Sequence, residues 1–205
     1  MRDLRIVFMG TPEFAVTILK KLVEDNFNIV GVVTASDKKA GRGRKINESA
    51  IKKYAVENKL KLLQPKNLKS EEFLSNLKAL KANLQIVVAF RMLPKAVWKM
   101  PAYGTFNLHA SLLPDYRGAA PIHWAIINGE EKTGVTTFFI DEKIDTGNII
   151  LQKEITIHDD EIVGELHDRL MNLGANLVSD TVLSIKSNSV TTQKQKKDSQ
   201  KIAPK

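Results

Sequence analysis

An open α/β sheet, mostly parallel and covered by helices on both faces, is the fold this 205-residue chain predicts. Three observations predict it. Short apolar runs alternate with stretches of helical periodicity, the pattern of strand-helix-strand units. The opening unit reads strand, helix, strand, which pairs its two strands in parallel through a crossover. The chain is long enough for one good-sized core and too short for two ordinary domains. Apolar residues at 43% and charged residues at 26% suit a globular protein.

Residues 4–9 read as a buried strand, its continuous apolar run being Ile6 to Met9. Thr11 is placed to cap the next helix, with Pro12 at its first position and Glu13 complementing the dipole. Ala15, Ile18, Leu19 and Leu22 recur at i, i+3, i+4 and i+7, one buried helical face. Residues 27–34 form the second strand. Residues 35–46 lack periodicity and hold two glycines among charges, which predicts a loop. Asn47 caps a helix to about residue 58, residues 60–63 make a short strand, and 70–80 a helix. A strongly apolar strand over 84–90 and a brief helix over 94–98 precede a strand holding Asn107 and His109. A helix over 118–128 follows, then strands over 133–140 and 148–157 joined by a loop at Asp145. The last helix, 161–185, carries Leu166, Leu170, Leu173 and Leu177 as its apolar stripe, with Gly174 costing it about 1 kcal/mol. The topology is Rossmann-like. The first turn, Gly10-Thr11-Pro12-Glu13, lacks the second glycine of a dinucleotide fingerprint, so no dinucleotide cofactor is expected.

The net charge of +8 is unevenly distributed. Residues 37–45 carry +4 and residues 186–205 carry +5, leaving −1 for the rest. Basic character belongs to one loop and one tail, as expected if each meets a polyanion. There is no cysteine, which excludes disulfides and thiolate metal sites and suits a reducing cytoplasm. The N-terminal apolar run is too short for a signal peptide or membrane span. After about residue 187 the chain is rich in Ser, Thr, Gln and Lys, buries little, and reads as a linker.

The densest chemistry lies in residues 106–124, F-N-L-H-A-S-L-L-P-D-Y-R-G-A-A-P-I-H-W. Asn107 and His109 stand two apart on a strand and so project to the same face. Ser111-Leu112-Leu113-Pro114 and Arg117-Gly118 follow, and Asp145-Thr146-Gly147 comes after the next strand. A polar pair at a strand's end, opening into a Pro/Gly loop, is where α/β folds place ligands. Singly, Asn107 reads as a turn residue and His109 as a core histidine. His123, His158 and His167 lack such company, although His123 stands near the motif. No metal site is expected, since the chain has no H-x-x-x-H and no cluster of carboxylate ligands.

These motifs, in this order, resemble the formyltransferase family that uses 10-formyltetrahydrofolate. Residues 6–15, I-V-F-M-G-T-P-E-F-A, are similar to the family's opening strand and helix. The resemblance covers about residues 4–205 and implies the family's Rossmann-like fold. It implies that Asn107 donates to the tetrahedral oxyanion, that His109 shuttles protons, and that Asp145 stabilises the imidazolium. The folate cosubstrate is implied at Phe90, Arg91, Met92 and Leu93 and at Ser111, Leu112, Leu113 and Pro114. Arg91 departs from the family, which has a small residue there. Ala40-Gly41-Arg42-Gly43-Arg44-Lys45 is similar to the loop of the branch that formylates initiator methionyl-tRNA. Lys38, Lys39, Arg42, Arg44 and Lys45 are then the implied tRNA contacts. Residues 1–187 are the implied catalytic domain, with 188–205 a basic linker toward a C-terminal domain absent from this chain. A monomer in the cytoplasm is expected. The alternatives are an N-formyltransferase for amino-sugar nucleotides and a non-catalytic module binding RNA or folate.

Overall fold

The computed structural model describes residues 1–40, 45–196 and 201–205. They form two compact units, Asp3–Thr105 and Phe106–Lys205, the latter joined by Met1–Arg2.

In the N-terminal unit, β1 (Ile6–Gly10), β2 (Ile29–Val33), β5 (Leu62–Leu63) and β6 (Leu84–Val88) are parallel, in the order β6-β1-β2-β5. Every residue of β1 and β6 is buried. Parallel strands covered on both faces need such unbroken apolar runs. Helix α1 (Glu13–Glu24) buries Phe14, Ala15, Ile18, Leu19 and Leu22, the face its periodicity marks out. Its N-cap is Pro12 rather than Thr11, and no side chain caps it. Helix α2 (Ala50–Glu57) is capped by Ser49, whose Oγ accepts from Lys52 N at 3.1 Å, and not by Asn47. Helices α3 (Glu71–Ala79) and α4 (Lys95–Trp98) complete the unit.

The 35–46 segment differs from the loop its sequence predicts. β3 (Lys38–Ala40) and β4 (Lys45–Asn47) pair antiparallel, Lys38 opposite Asn47 and Ala40 opposite Lys45. A two-stranded ribbon needs only its own cross-strand hydrogen bonds, so no apolar alternation announces it. At its base Asp37 accepts from Lys52 Nζ at 2.5 Å and Gln64 Nε2 at 2.8 Å. Arg42 and Arg44 lie outside the described residues.

In the C-terminal unit, β7 (Thr105–His109, its first residue belonging to the N-terminal unit), β9 (Lys132–Phe139) and β10 (Ile149–Thr156) form an antiparallel set in the order β10-β9-β7. Helix α5 (Pro121–Ile127) begins on a proline. Helix α6 (Val163–Lys186) packs along β9 and β10. Its buried face includes Leu166, Leu170, Leu177, Val178, Val182 and Ile185; Leu173 lies at the edge, half-buried. A Cβ on Gly174 would come within 2.7 Å of Leu108 Cδ2, so the glycine lets the helix close on β7.

Residues after 187 do bury surface, against the expectation of an unpacked tail. Gln193 forms an antiparallel bridge with Ile149, and β11 (Ile202–Ala203) pairs in parallel with β8 (Arg117–Gly118). Gln195 is 7% exposed and Ala203 fully buried. Backbone pairing and one buried amide hold this segment, neither of which composition reveals.

Candidate active site

Strand β7 presents Asn107 and His109 opposite Phe138 and Thr136 of β9. His109 is 7% exposed. Its Nε2 lies 2.8 Å from the carbonyl oxygen of Tyr116. A carbonyl can only accept, so Nε2 carries the proton and Nδ1 is the basic nitrogen of the neutral ring. Nδ1 lies 3.8 Å from Asp145 Oδ2, an ion-pair distance and longer than a hydrogen bond. The Asp145 side chain is 15% exposed, and Oδ2 accepts from Gly118 N at 2.9 Å. A proton taken at Nδ1 thus meets the opposite charge in a site largely closed to water. Asn107 is half-buried, and its amide has no hydrogen-bond partner among the described residues.

Two glycines of the motifs answer to steric crowding. Gly118 has φ +127°, and a Cβ there would sit 2.4 Å from the Ala203 carbonyl oxygen. A Cβ on Gly147 would lie 1.6 Å from the Phe139 carbonyl oxygen. Arg-Gly and Asp-Thr-Gly are therefore the sequence signs of loops pressed against backbone. Tyr116 and Asp145, the two residues flanking the imidazole, both have left-handed backbone, φ 59° and 54°. Such conformations persist only where neighbours overdetermine them.

The Ser111–Pro114 peptide groups are braced from β9 and β10. Thr136 Oγ1 donates to Ser111 O at 2.6 Å and accepts from Leu113 N at 3.2 Å. Gln152 Nε2 donates to Leu113 O at 2.8 Å and to Thr136 Oγ1 at 2.9 Å. Ser111 Oγ, fully buried, donates to Asp115 O at 2.6 Å, so it serves the turn and is no nucleophile. Leu113 packs with Phe138 and Ile149, while Leu112 and Pro114 remain half-exposed.

In the N-terminal unit, Phe90 is half-buried, Leu93 buried, and Met92 70% exposed. Arg91 donates to Lys66 O at 3.0 Å and to Pro65 O, with its guanidinium 5.7 Å from the Phe90 ring centre. Arg91 thus ties one loop of this unit to another. An open cleft of about 420 Å³ is lined by Leu68, Met92, Leu93 and Pro94, with Lys66, Lys69 and Arg91 at the same wall. His123 and His158 are exposed and His167 is half-buried.

Sequence reasoning missed Tyr116, Thr136, Gln152 and Gln195. Thr136 left a faint sign, a threonine pair with Thr137 between Val135 and Phe138, whereas Gln152, beside Lys153 and Glu154, is spelled like an exposed strand residue. Tyr116 and Gln195 left none. Tyr116 OH donates to Glu130, whose carboxyl is held below its ordinary range by the Lys201 ammonium and this hydroxyl.

A family model described as formyl transferase matches residues 4–182. The chain belongs to the formyl transferase family. The methionyl-tRNA formyltransferase of Flavobacterium johnsoniae is 68% identical over 192 residues, covering 94% of this chain and 61% of that protein. The chain spans about three fifths of the length of such curated relatives. Among solved structures, glycinamide ribonucleotide transformylase 1 from Symbiobacterium toebii has a TM-score of 0.79 at 16% identity, covering 94% of each chain. WlaRD, a sugar 3N-formyl transferase solved with dTDP and 5-N-formyl-THF, has a TM-score of 0.73 at 22% identity, covering 100% of this chain and 71% of that one. The Rossmann-like α/β fold expected from the sequence is therefore the fold found. Among the described residues no helix is long and apolar enough to cross a membrane.

Proposed function

We propose that this chain carries the catalytic site of a methionyl-tRNA formyltransferase, moving a formyl group from 10-formyltetrahydrofolate to the amino group of methionine on initiator tRNA. One observation carries the reading. Asn107 and His109 share a strand face, and the Asp145 carboxylate stands 3.8 Å from the basic nitrogen of that histidine. The amine attacks the formyl carbon, forming the new C–N bond and a tetrahedral oxyanion. The free Asn107 amide donates to that oxygen. His109 Nδ1 takes the proton the amine sheds, while Asp145 supplies the opposing charge. Collapse breaks the bond to the folate nitrogen, which receives the proton back from Nδ1. Tyr116 keeps the ring in the tautomer this needs.

The folate assignments for Phe90–Leu93 and for Ser111–Pro114 each rest on the motif and on the apolar surface of their own segment. WlaRD, which shares the fold, was solved with a formyl-folate. The tRNA assignment for Lys38, Lys39, Arg42, Arg44 and Lys45 rests on the +4 charge of residues 37–45 and on the motif. Residues 1–187 are assigned as the catalytic domain, acting as a monomer in the cytoplasm.

Labelled formyl transfer from 10-formyltetrahydrofolate by the full-length protein tests the reading. Product on methionyl-initiator tRNA is expected, with kcat/KM lowered about tenfold or more in Arg42→Ala. Transfer to an amino-sugar nucleotide with none to the tRNA would overturn it.

A further inference from the structure

The tail beyond α6 reaches back to both sides of the reacting histidine. Gln193 N and O bond to Ile149 O and N at 2.9 and 2.8 Å, which fixes where Gln195 enters. The Gln195 carboxamide then fills its hydrogen-bonding capacity. Its Oε1 accepts from Arg117 Nε at 3.1 Å and Nη2 at 2.6 Å. Its Nε2 donates to Asp145 O at 2.9 Å and Gly147 O at 2.8 Å. Farther on, Lys201 O accepts from Tyr116 N at 2.8 Å, and Ala203 O accepts from Ala119 N and Ala120 N at 2.7 and 3.1 Å.

We propose that Gln195 is a positioning residue for catalysis, its amide holding the 145–147 turn so that the Asp145 carboxylate faces His109. Asp145 has a left-handed backbone, which is strained in a residue with a side chain and needs outside support. Two partners give it that support: Gly118 N holds the carboxylate, and Gln195 holds the peptide oxygen. Gln195 also grips Arg117, the neighbour of Gly118, so one side chain sets the separation of the two loops meeting at the carboxylate. Glutamate has the same shape but no donors, and would set a charged oxygen against the two turn carbonyls. The Lys-rich tail is in this respect part of the active site's support.

The proposal rests on the transferase reading, so its test has one arm that needs no turnover. In the full-length protein, Gln195→Glu and Gln195→Met are compared with wild type and with Lys194→Ala, an exposed neighbour. Turnover of methionyl-tRNA is expected to fall about tenfold or more in both Gln195 variants, with each KM within about threefold, and to stay unchanged in Lys194→Ala. The His109 imidazole signals in ¹H–¹⁵N spectra are expected to move in both Gln195 variants and not in Lys194→Ala. Turnover within about twofold of wild type in Gln195→Glu would overturn the proposal. So would turnover that falls only in step with lost folded protein while the His109 signals stay put. If wild type transfers no formyl group, the transferase reading fails, and the His109 signals alone decide whether Gln195 positions that residue.

Discussion

The strands of the two units solve opposite problems. In the N-terminal unit β1 reads I-V-F-M-G and β6 reads L-Q-I-V-V, all buried. Their single polar side chain, Gln85, is answered by the Thr105 hydroxyl at 3.0 Å. In the C-terminal unit the strands carry Asn107, His109, Thr136, Thr137 and Gln152. Thr137 meets Thr181 of α6 at 2.8 Å, and Thr136 meets Gln152 at 2.9 Å. Parallel strands covered on both faces take apolar side chains and supply stability, whereas antiparallel strands leave room for polar ones. Buried polar groups are tolerated there because they have partners, and Asn107, whose amide has no hydrogen-bond partner among the described residues, is assigned to the substrate.

Four substitutions put this contrast to the test. Phe8→Ala, in the middle of fully buried β1, should lower unfolding free energy by about 3–5 kcal/mol in urea titrations, with kcat per folded molecule unchanged. Asn107→Ala should do the reverse: turnover down by about 10²–10³ with the thermal midpoint little altered. Were Asn107→Ala to lose stability in proportion to activity, the division between the two sets of strands would be false. Thr136→Val sits between these extremes, because it strands the Ser111 carbonyl and the Leu113 amide. A stability loss of about 1–3 kcal/mol by chemical denaturation is expected.

The smallest effect concerns pH. Burial opposes ionisation of Glu161, but the Arg169 guanidinium at 2.5 Å and the His158 N–H outweigh it and hold the carboxyl below its ordinary 4.5. The unfolded chain therefore binds that proton more tightly than the folded one. The pair's stabilisation is present above pH 4.5 and lost as pH falls through the lower folded value. Arg169→Met should lower the midpoint at neutral pH by about 2 °C or less, since the arginine is part-exposed, and the difference should vanish in acid. A difference that persists there would make the contact one of packing rather than charge.

Most strands and helices were legible because each leaves a local period in the chain. The Ala15-Ile18-Leu19-Leu22 face of α1 lies buried as the spacing implies. The N-caps were less legible, since Thr11 and Asn47 have the right chemistry one or two residues from the caps used. The Asn107, His109 and Asp145 grouping could be read because its glycines mark crowded backbone. The pairing of 38–40 with 45–47 could not, because cross-strand hydrogen bonds alone leave no period in the sequence.

Alone, the chain's order of residues determined most of the elements, the strand that carries Asn107 and His109, and the loop that carries Asp145. Tertiary structure decided which groups complete that constellation: Tyr116 at Nε2, Thr136 and Gln152 under the 111–114 loop, and Gln195 under Asp145. Hydrogen bonds spanning 50 or 78 residues, as those of Gln195 do, impose no period on the sequence. A lysine-rich tail that docks by single amides and backbone pairing is spelled like one that does not dock.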